Sequence, residues 1–163
     1  MKNLYLILLL IGSVFTARAQ SAEEANVTEV VNNLFKAMYT NDTTLFKSVF
    51  ADQVTMATAM KNREGKAVLQ RESGIQGFVK AIARPNPNGA LTEEIWNIKV
   101  QIDGDLAQVW CDYAFYVGNK FSHCGVDAFQ LHKSADGWKI FHLADTRKRD
   151  NCSIPQNIQD KHK

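Results

Sequence analysis

KFSHCGVDAFQL, residues Lys120 to Leu131, places a histidine, a cysteine and an aspartate inside an apolar, aromatic run of strand character. Strands that line a core seldom carry three ionisable side chains, because such groups are rarely buried without partners. The fold depends on which of the three point inward. The turns on either side of the stretch bear on that question.

Gly118-Asn119 precedes the run and Asp136-Gly137 follows it, both of them hairpin-turn dipeptides. If Gly118-Asn119 is a two-residue turn, Val117 pairs with Lys120, Tyr113 lies opposite Cys124, and Cys111 lies opposite Val126. From the longer second turn, Lys133 pairs with Trp138, Leu131 with Ile140, Phe129 with His142 and Asp127 with Ala144. Opposite residues share a face. The two registers conflict. The first passes the apolar face to Cys124 and Val126, whereas Phe129 and Leu131 are apolar at the other parity. One extra residue must therefore slip the phase between Val109 and Phe129. With the bulge at Gly125, Cys124 points inward; with it near Cys111-Asp112, His123, Gly125 and Asp127 all do. In both cases Asp127, Phe129 and His142 are expected on the core-facing side.

Further out, the pattern has two halves. Val27, Val30, Val31, Leu34 and Met38 recur at helical spacing, predicting a helix over about residues 22–39. Asp42 can cap a short second helix carrying Leu45, Phe46, Val49 and Phe50. Val54-Thr55-Met56 reads as a short strand before a polar turn at Lys61 to Lys66, and Ser73 as the cap of a third helix that Pro85 and Pro87 stop. From Trp96 the period becomes two, through Asp103-Gly104 and back along Ala107 to Phe115. Three helices followed by an antiparallel meander, each element half apolar, define an α+β domain with helices on one sheet face.

The chain has 163 residues. It opens MKNLYLILLLIGSVFTARAQ, where Lys2 precedes an apolar run and Ala17-Arg18-Ala19 follows it, the layout of a secretory signal peptide cut after Ala19. The expected organisation is a signal peptide at 1–19, a domain at 20–147 and a polar basic tail at 148–163, in a periplasmic or secreted protein with no membrane association after cleavage. Cleavage removes two of the 19 basic residues and no acid, leaving 17 against 17. A neutral domain is a poor nucleic-acid binder, since that binding rests on neutralising phosphates. The tail is expected to fray. Of Cys111, Cys124 and Cys152, at most two can pair within the chain. A Cys124–Cys152 bridge is expected, with Cys111 buried and free, because neither register gives Cys111 and Cys124 the spacing a disulfide needs.

The motifs Gly104 to Leu131, Asp136 to Ile140 (DGWKI) and Asp145 to Arg147 (DTR) resemble exported bacterial members of the nuclear-transport-factor-two-like superfamily. That resemblance implies a cone-shaped fold, a strongly curved antiparallel sheet around three N-terminal helices, with a pocket between them and commonly a homodimer. The superfamily includes ketosteroid isomerases, scytalone dehydratase, polyketide cyclases and limonene epoxide hydrolase, alongside binding domains with no assigned reaction, so fold alone does not give function.

The expected ligand pocket comprises Tyr113, His123, Asp127, Phe129 and His142. His142 and Asp127 are the candidate catalytic pair, because a carboxylate on a neighbouring strand orients an imidazole as a general base. The same two residues could simply satisfy each other in a polar core. Asp145 and Arg147 are expected at a strand end, to pair with each other or to make a rim contact. No ligand spacing supports a metal, and no cofactor is expected. Three readings follow: an exported domain binding an unknown small molecule, an acid/base enzyme, or a dimerising module with a filled cone.

Overall fold

The computed structural model describes residues 22–163, so the expected leader lies outside the described residues. Helix α1, residues 22–40, buries Val27, Val31, Leu34, Phe35, Ala37 and Met38 on the stripe its periodicity marks. Each of these side chains other than Ala37 contributes roughly 2 kcal/mol through loss of apolar surface from water. Helix α2 (Thr43–Ser48) is capped by Asp42, whose carboxylate accepts from the N–H groups of Thr44 at 3.0 Å and Leu45 at 2.9 Å.

The next segment differs from expectation. The short strand is a 12-residue β1 (Phe50–Lys61), and beyond the Asn62–Lys66 turn comes a second strand, β2 (Ala67–Ser73). Ser73 therefore ends a strand instead of capping a helix. Gly74, at φ 77°, turns the chain, and α3 (Gln76–Ile82) starts after Ile75 with no side-chain cap.

The strands β3 (Leu91–Asp103), β4 (Leu106–Val117), β5 (Lys120–Ser134) and β6 (Gly137–Arg147) form the expected meander. The six-stranded sheet has the order β2-β1-β6-β5-β4-β3, with free edges at β2 and β3, so it curves without closing. Every pairing is antiparallel except β1 with β6, which is parallel. The inner face carries Val109, Cys111, Phe129, Leu131 and Ile140 against α1 and α2 in one core.

Three single-residue bulges bend the meander. On β3 the register shifts between Trp96↔Asp112 and Lys99↔Trp110, where Asn97 has φ 52°. On β5 it shifts at Ser122, between Tyr116↔Phe121 and Phe115↔His123. The phase slip thus falls at neither of the two expected positions but before His123, and it turns His123, Gly125, Asp127, Phe129 and Leu131 to one face. On β6 a bulge at Phe141 separates Leu131↔Ile140 from Gln130↔His142. His142 consequently lies opposite Gln130, on the outer face, while Leu143 and Asp145 turn inward opposite Phe129 and Asp127.

The C-terminal segment is docked rather than frayed. Lys148 and Cys124 exchange two backbone hydrogen bonds of 2.9 Å, and Cys124 is bridged to Cys152. Cys111 is free and buried. Helix α4 (Gln156–Lys161) buries Ile158 against Ala114 and Tyr116 on the outer face, and the His162 ring stacks on Tyr116 at 3.7 Å. Glu94 accepts from Lys161 at 2.7 Å. The tail's polar composition conceals these anchors because Ile154 and Ile158 supply its only aliphatic contacts.

Candidate functional site

Between α1, α3 and the inner face of the sheet lies a cavity of about 420 Å³. Leu34, Phe35 and Met38 of α1, Phe78 of α3, Met56 of β1 and Leu143 of β6 make its apolar wall. Its polar side comes from five strands: Glu72, Glu93, Tyr113, His123 with Asp127, and Asp145 with Arg147. The described residues leave the cone unfilled.

Asp145 is the most heavily bonded group. It accepts from Thr58 Oγ1 at 2.5 Å, from Arg147 Nε at 2.6 Å and from the Tyr113 hydroxyl at 3.3 Å. The pairing of Asp145 with Arg147 agrees with expectation, but both residues line the cavity. Burial works against the Arg147 charge, and the hydrogen bond to Asp145 more than offsets it, keeping the guanidinium protonated. The Tyr113 hydroxyl also donates to the Thr146 carbonyl at 2.9 Å. Burial, then the charge of Asp145, raises its pKa far above the ordinary phenol value, so Tyr113 is a fixed neutral phenol. A Cβ on Gly125 would sit 1.8 Å from the same Thr146 carbonyl oxygen, so the close approach of β5 to β6 here admits only glycine.

Asp127 is buried, 3 % exposed, and its Oδ2 receives no hydrogen from any described amide, hydroxyl or cationic group. Its neighbour is the Glu93 carboxyl. Burial raises the pKa of both acids, and for Asp127 the Glu93 charge adds to the rise; Glu93 is lifted to about 7. Two carboxylates in a poorly solvated site cannot both ionise readily, so the pair holds one proton in common near neutral pH. His123 shifts the other way. Burial, then the Arg147 charge, lowers it to about 4, so its imidazole is neutral above that pH. Its Nδ1 lies 3.0 Å from Ser122 Oγ, and its ring packs on Tyr113 and Phe115.

Of the five residues expected to line a pocket, Tyr113, His123 and Asp127 do so. Phe129 lies deeper in the core, edge-on to Phe35 at 6.1 Å between centroids. His142 is not in the cavity: it faces away with Gln130 and Thr55, and its Nδ1 is 2.7 Å from Thr55 Oγ1. The His142–Asp127 pair does not form, because the Phe141 bulge moves His142 to the opposite face. Glu93 takes the place beside Asp127. Sequence reasoning missed Glu93 because it reaches the inner face only through the β3 bulge at Asn97. Among the described residues no group of three or more His, Cys, Asp or Glu is arranged to hold a metal ion, and no helix is long and apolar enough to cross a membrane.

A curved, unclosed sheet wrapped on α1 with a pocket on its inner face is the architecture of the nuclear-transport-factor-two-like superfamily, and solved structures bear this out at the level of fold. A "putative dehydratase from the NTF2-like family" of Streptomyces avermitilis is 16% identical, with a TM-score of 0.62 over 80% of this chain and 99% of its own. An NTF2-like protein with a cystatin-like fold from Novosphingobium aromaticivorans is 13% identical, with a TM-score of 0.63 over 85% of this chain and 90% of its own. The CaMKII hub of S. rosetta is 20% identical, with a TM-score of 0.60 over 77% of this chain and 96% of its own. Within that class, the chain belongs to the family described as "Putative lumazine-binding", whose model matches residues 22–143. No curated protein matches the chain.

Proposed function

We propose that this protein is an exported domain that binds a compact, partly apolar small molecule in the cone pocket. The observation that carries the reading is the cavity of about 420 Å³, apolar on its helical side and ionisable on its sheet side. Such a site suits a ligand with an apolar body and one polar edge. The family description points the same way. Export to the periplasm or medium rests on the signal-peptide pattern of residues 1–19, and a homodimer on the superfamily resemblance.

Native mass spectrometry of protein purified from its own host tests the reading. A small molecule should be retained, and Leu143→Trp, which fills the apolar wall, should abolish retention. A bare mass in every preparation, with no compound of a metabolite library raising the melting temperature, would overturn it.

A second reading, acid/base catalysis, is favoured by the Glu93 carboxyl, which titrates near neutral pH beside Asp127. A general acid or base works best with a pKa near the operating pH. On this reading Glu93 and Asp127 take the part expected of His142 and Asp127. Glu93→Gln would then abolish turnover of the retained molecule while leaving its binding measurable.

A further inference from the structure

The charged groups around the cavity are unequally matched. β2, β3, β5 and β6 each present a carboxyl, as Glu72, Glu93, Asp127 and Asp145. Against these four, Arg147 is the one cation among the described lining residues, and its Nε is committed to Asp145 at 2.6 Å. The other ionisable groups on or against the cavity wall add no positive charge near neutral pH, and Arg149 is outside the lining. His123 is neutral there, Tyr113 and Cys111 are held protonated chiefly by burial, and Arg149 acts only on His123 from a distance. The helices contribute only apolar side chains and Gly77 to the wall. With Asp145 matched to Arg147, an excess of negative charge remains on Glu93, Asp127 and Glu72.

One of those carboxyls has no donor partner apart from the acid beside it. Asp127 Oδ2 is buried, faces the cavity side of β5 and receives no hydrogen bond from any described amide, hydroxyl or cationic group, so the proton shared with Glu93 is all that the described residues offer this carboxyl. Leaving a buried acceptor without a donor costs about 1–3 kcal/mol, more when it is charged. A ligand bringing N–H donors would remove that cost.

We infer that the pocket selects ligands with a cationic or multiply N–H-donating edge, of amine, amidine or aminoheterocycle type, docked on the Asp127–Glu93 pair, and rejects carboxylates. This rests on the small-molecule reading of the cavity and adds the chemical class of its ligand. The apolar wall of Leu34, Met38 and Phe78 receives the ligand's body while the carboxyl pair receives its donors. A bound cation favours the ionised pair, so binding expels the proton the two acids share.

Three probes of one shape test this: benzamidine, cationic across the range used; benzamide, neutral; and benzoate, anionic. Isothermal titration at pH 8 should show benzamidine binding about tenfold or more tighter than benzoate, with benzamide between them, since one charge-assisted contact is worth that factor. Below the Glu93 value of about 7, benzamidine affinity should fall by up to about tenfold per pH unit, because Glu93 then carries a proton that must first leave. Heat measured in buffers of different ionisation enthalpy should report the proton's release. Asp127→Asn and Glu93→Gln should each lose the preference for benzamidine, and the wild-type comparison stands even if a variant fails to fold. Benzoate or benzamide binding as tightly as benzamidine, or an affinity that does not change with pH, would overturn the inference while leaving a small-molecule pocket. Failure of all three probes would also overturn it, and retention of a host molecule would then decide the pocket reading separately.

Discussion

The two halves of β5 make an instructive contrast. From Phe129 to Leu131 its inward residues are 1 % or less exposed and lock into α1 and β6 through aromatic and aliphatic contact. From His123 to Asp127 the same face, at the same alternation, carries an imidazole and a carboxyl that line the cavity, with Gly125 between them held close against Thr146. Geometry treats the halves alike, and side-chain chemistry divides them. Stability should reside in the first half, and the cavity-lining positions of the second, His123 and Asp127, should be able to change without loss of the fold.

Substitutions test that division. Phe129→Ala should lower the unfolding free energy by about 4 kcal/mol, the cost of a large cavity in a packed core. Asp127→Asn, two residues away, should change it by about 1 kcal/mol or less at neutral pH, because it removes a buried acid that was costly to ionise. Urea unfolding of both variants measures the difference, and equal losses would erase the contrast.

The disulfide on the outer face gives the next largest effect. Cys124 and Cys152 lie 28 residues apart, so Cys152→Ser should cost roughly 3 kcal/mol through the looser unfolded chain it permits. Benzamidine affinity should stay unchanged, since the bridge lies on the face away from the cavity. If affinity fell in step with stability, the two faces would not be independent.

The smallest effect is a pH dependence of opposing parts. Glu93, raised in the fold, adds stability that is full below its ordinary value near 4.5 and is lost as pH rises through about 7. His123, lowered in the fold, adds stability that is full above 6.5 and is lost as pH falls through about 4. Between pH 4.5 and 6.5 the two oppose each other. Above pH 6.5 only the buried acids remain, and the Glu93 part of the decline should be on the order of 1 kcal/mol, allowing for its partial exposure. Urea midpoints from pH 5 to 9 should show this decline in the wild type and a flatter profile in Glu93→Gln.

The same contrast explains what could be read from the sequence. Pairing outward from the turns places Val117 opposite Lys120, Lys133 opposite Trp138 and Leu131 opposite Ile140, as the structure has them. It fails just beyond Ser122 and Phe141. Both bulges fall on ordinary strand residues, with no glycine or proline to mark them, and they serve the bend of the whole sheet instead of a local preference. One slipped residue suffices to send His142 outward and bring Asp145 in. β2 was hidden for another reason: all seven of its residues are exposed, so it has no apolar alternation to detect. Tyr113, His123 and Asp127 were legible because polar groups at inward positions stand out against an apolar strand.

The bridge between Cys124 and Cys152 also closes a covalent ring around the β5–β6 hairpin. Asp127, Asp145 and Arg147 all lie within that ring. Tension applied to the two chain ends would enter at Cys124, cross the sulfurs and leave at Cys152, so the residues between would hang slack. A protease that cut inside the ring would likewise leave a single covalent molecule. The segment bearing three of the cavity's charged groups is therefore shielded from pull and from fragmentation.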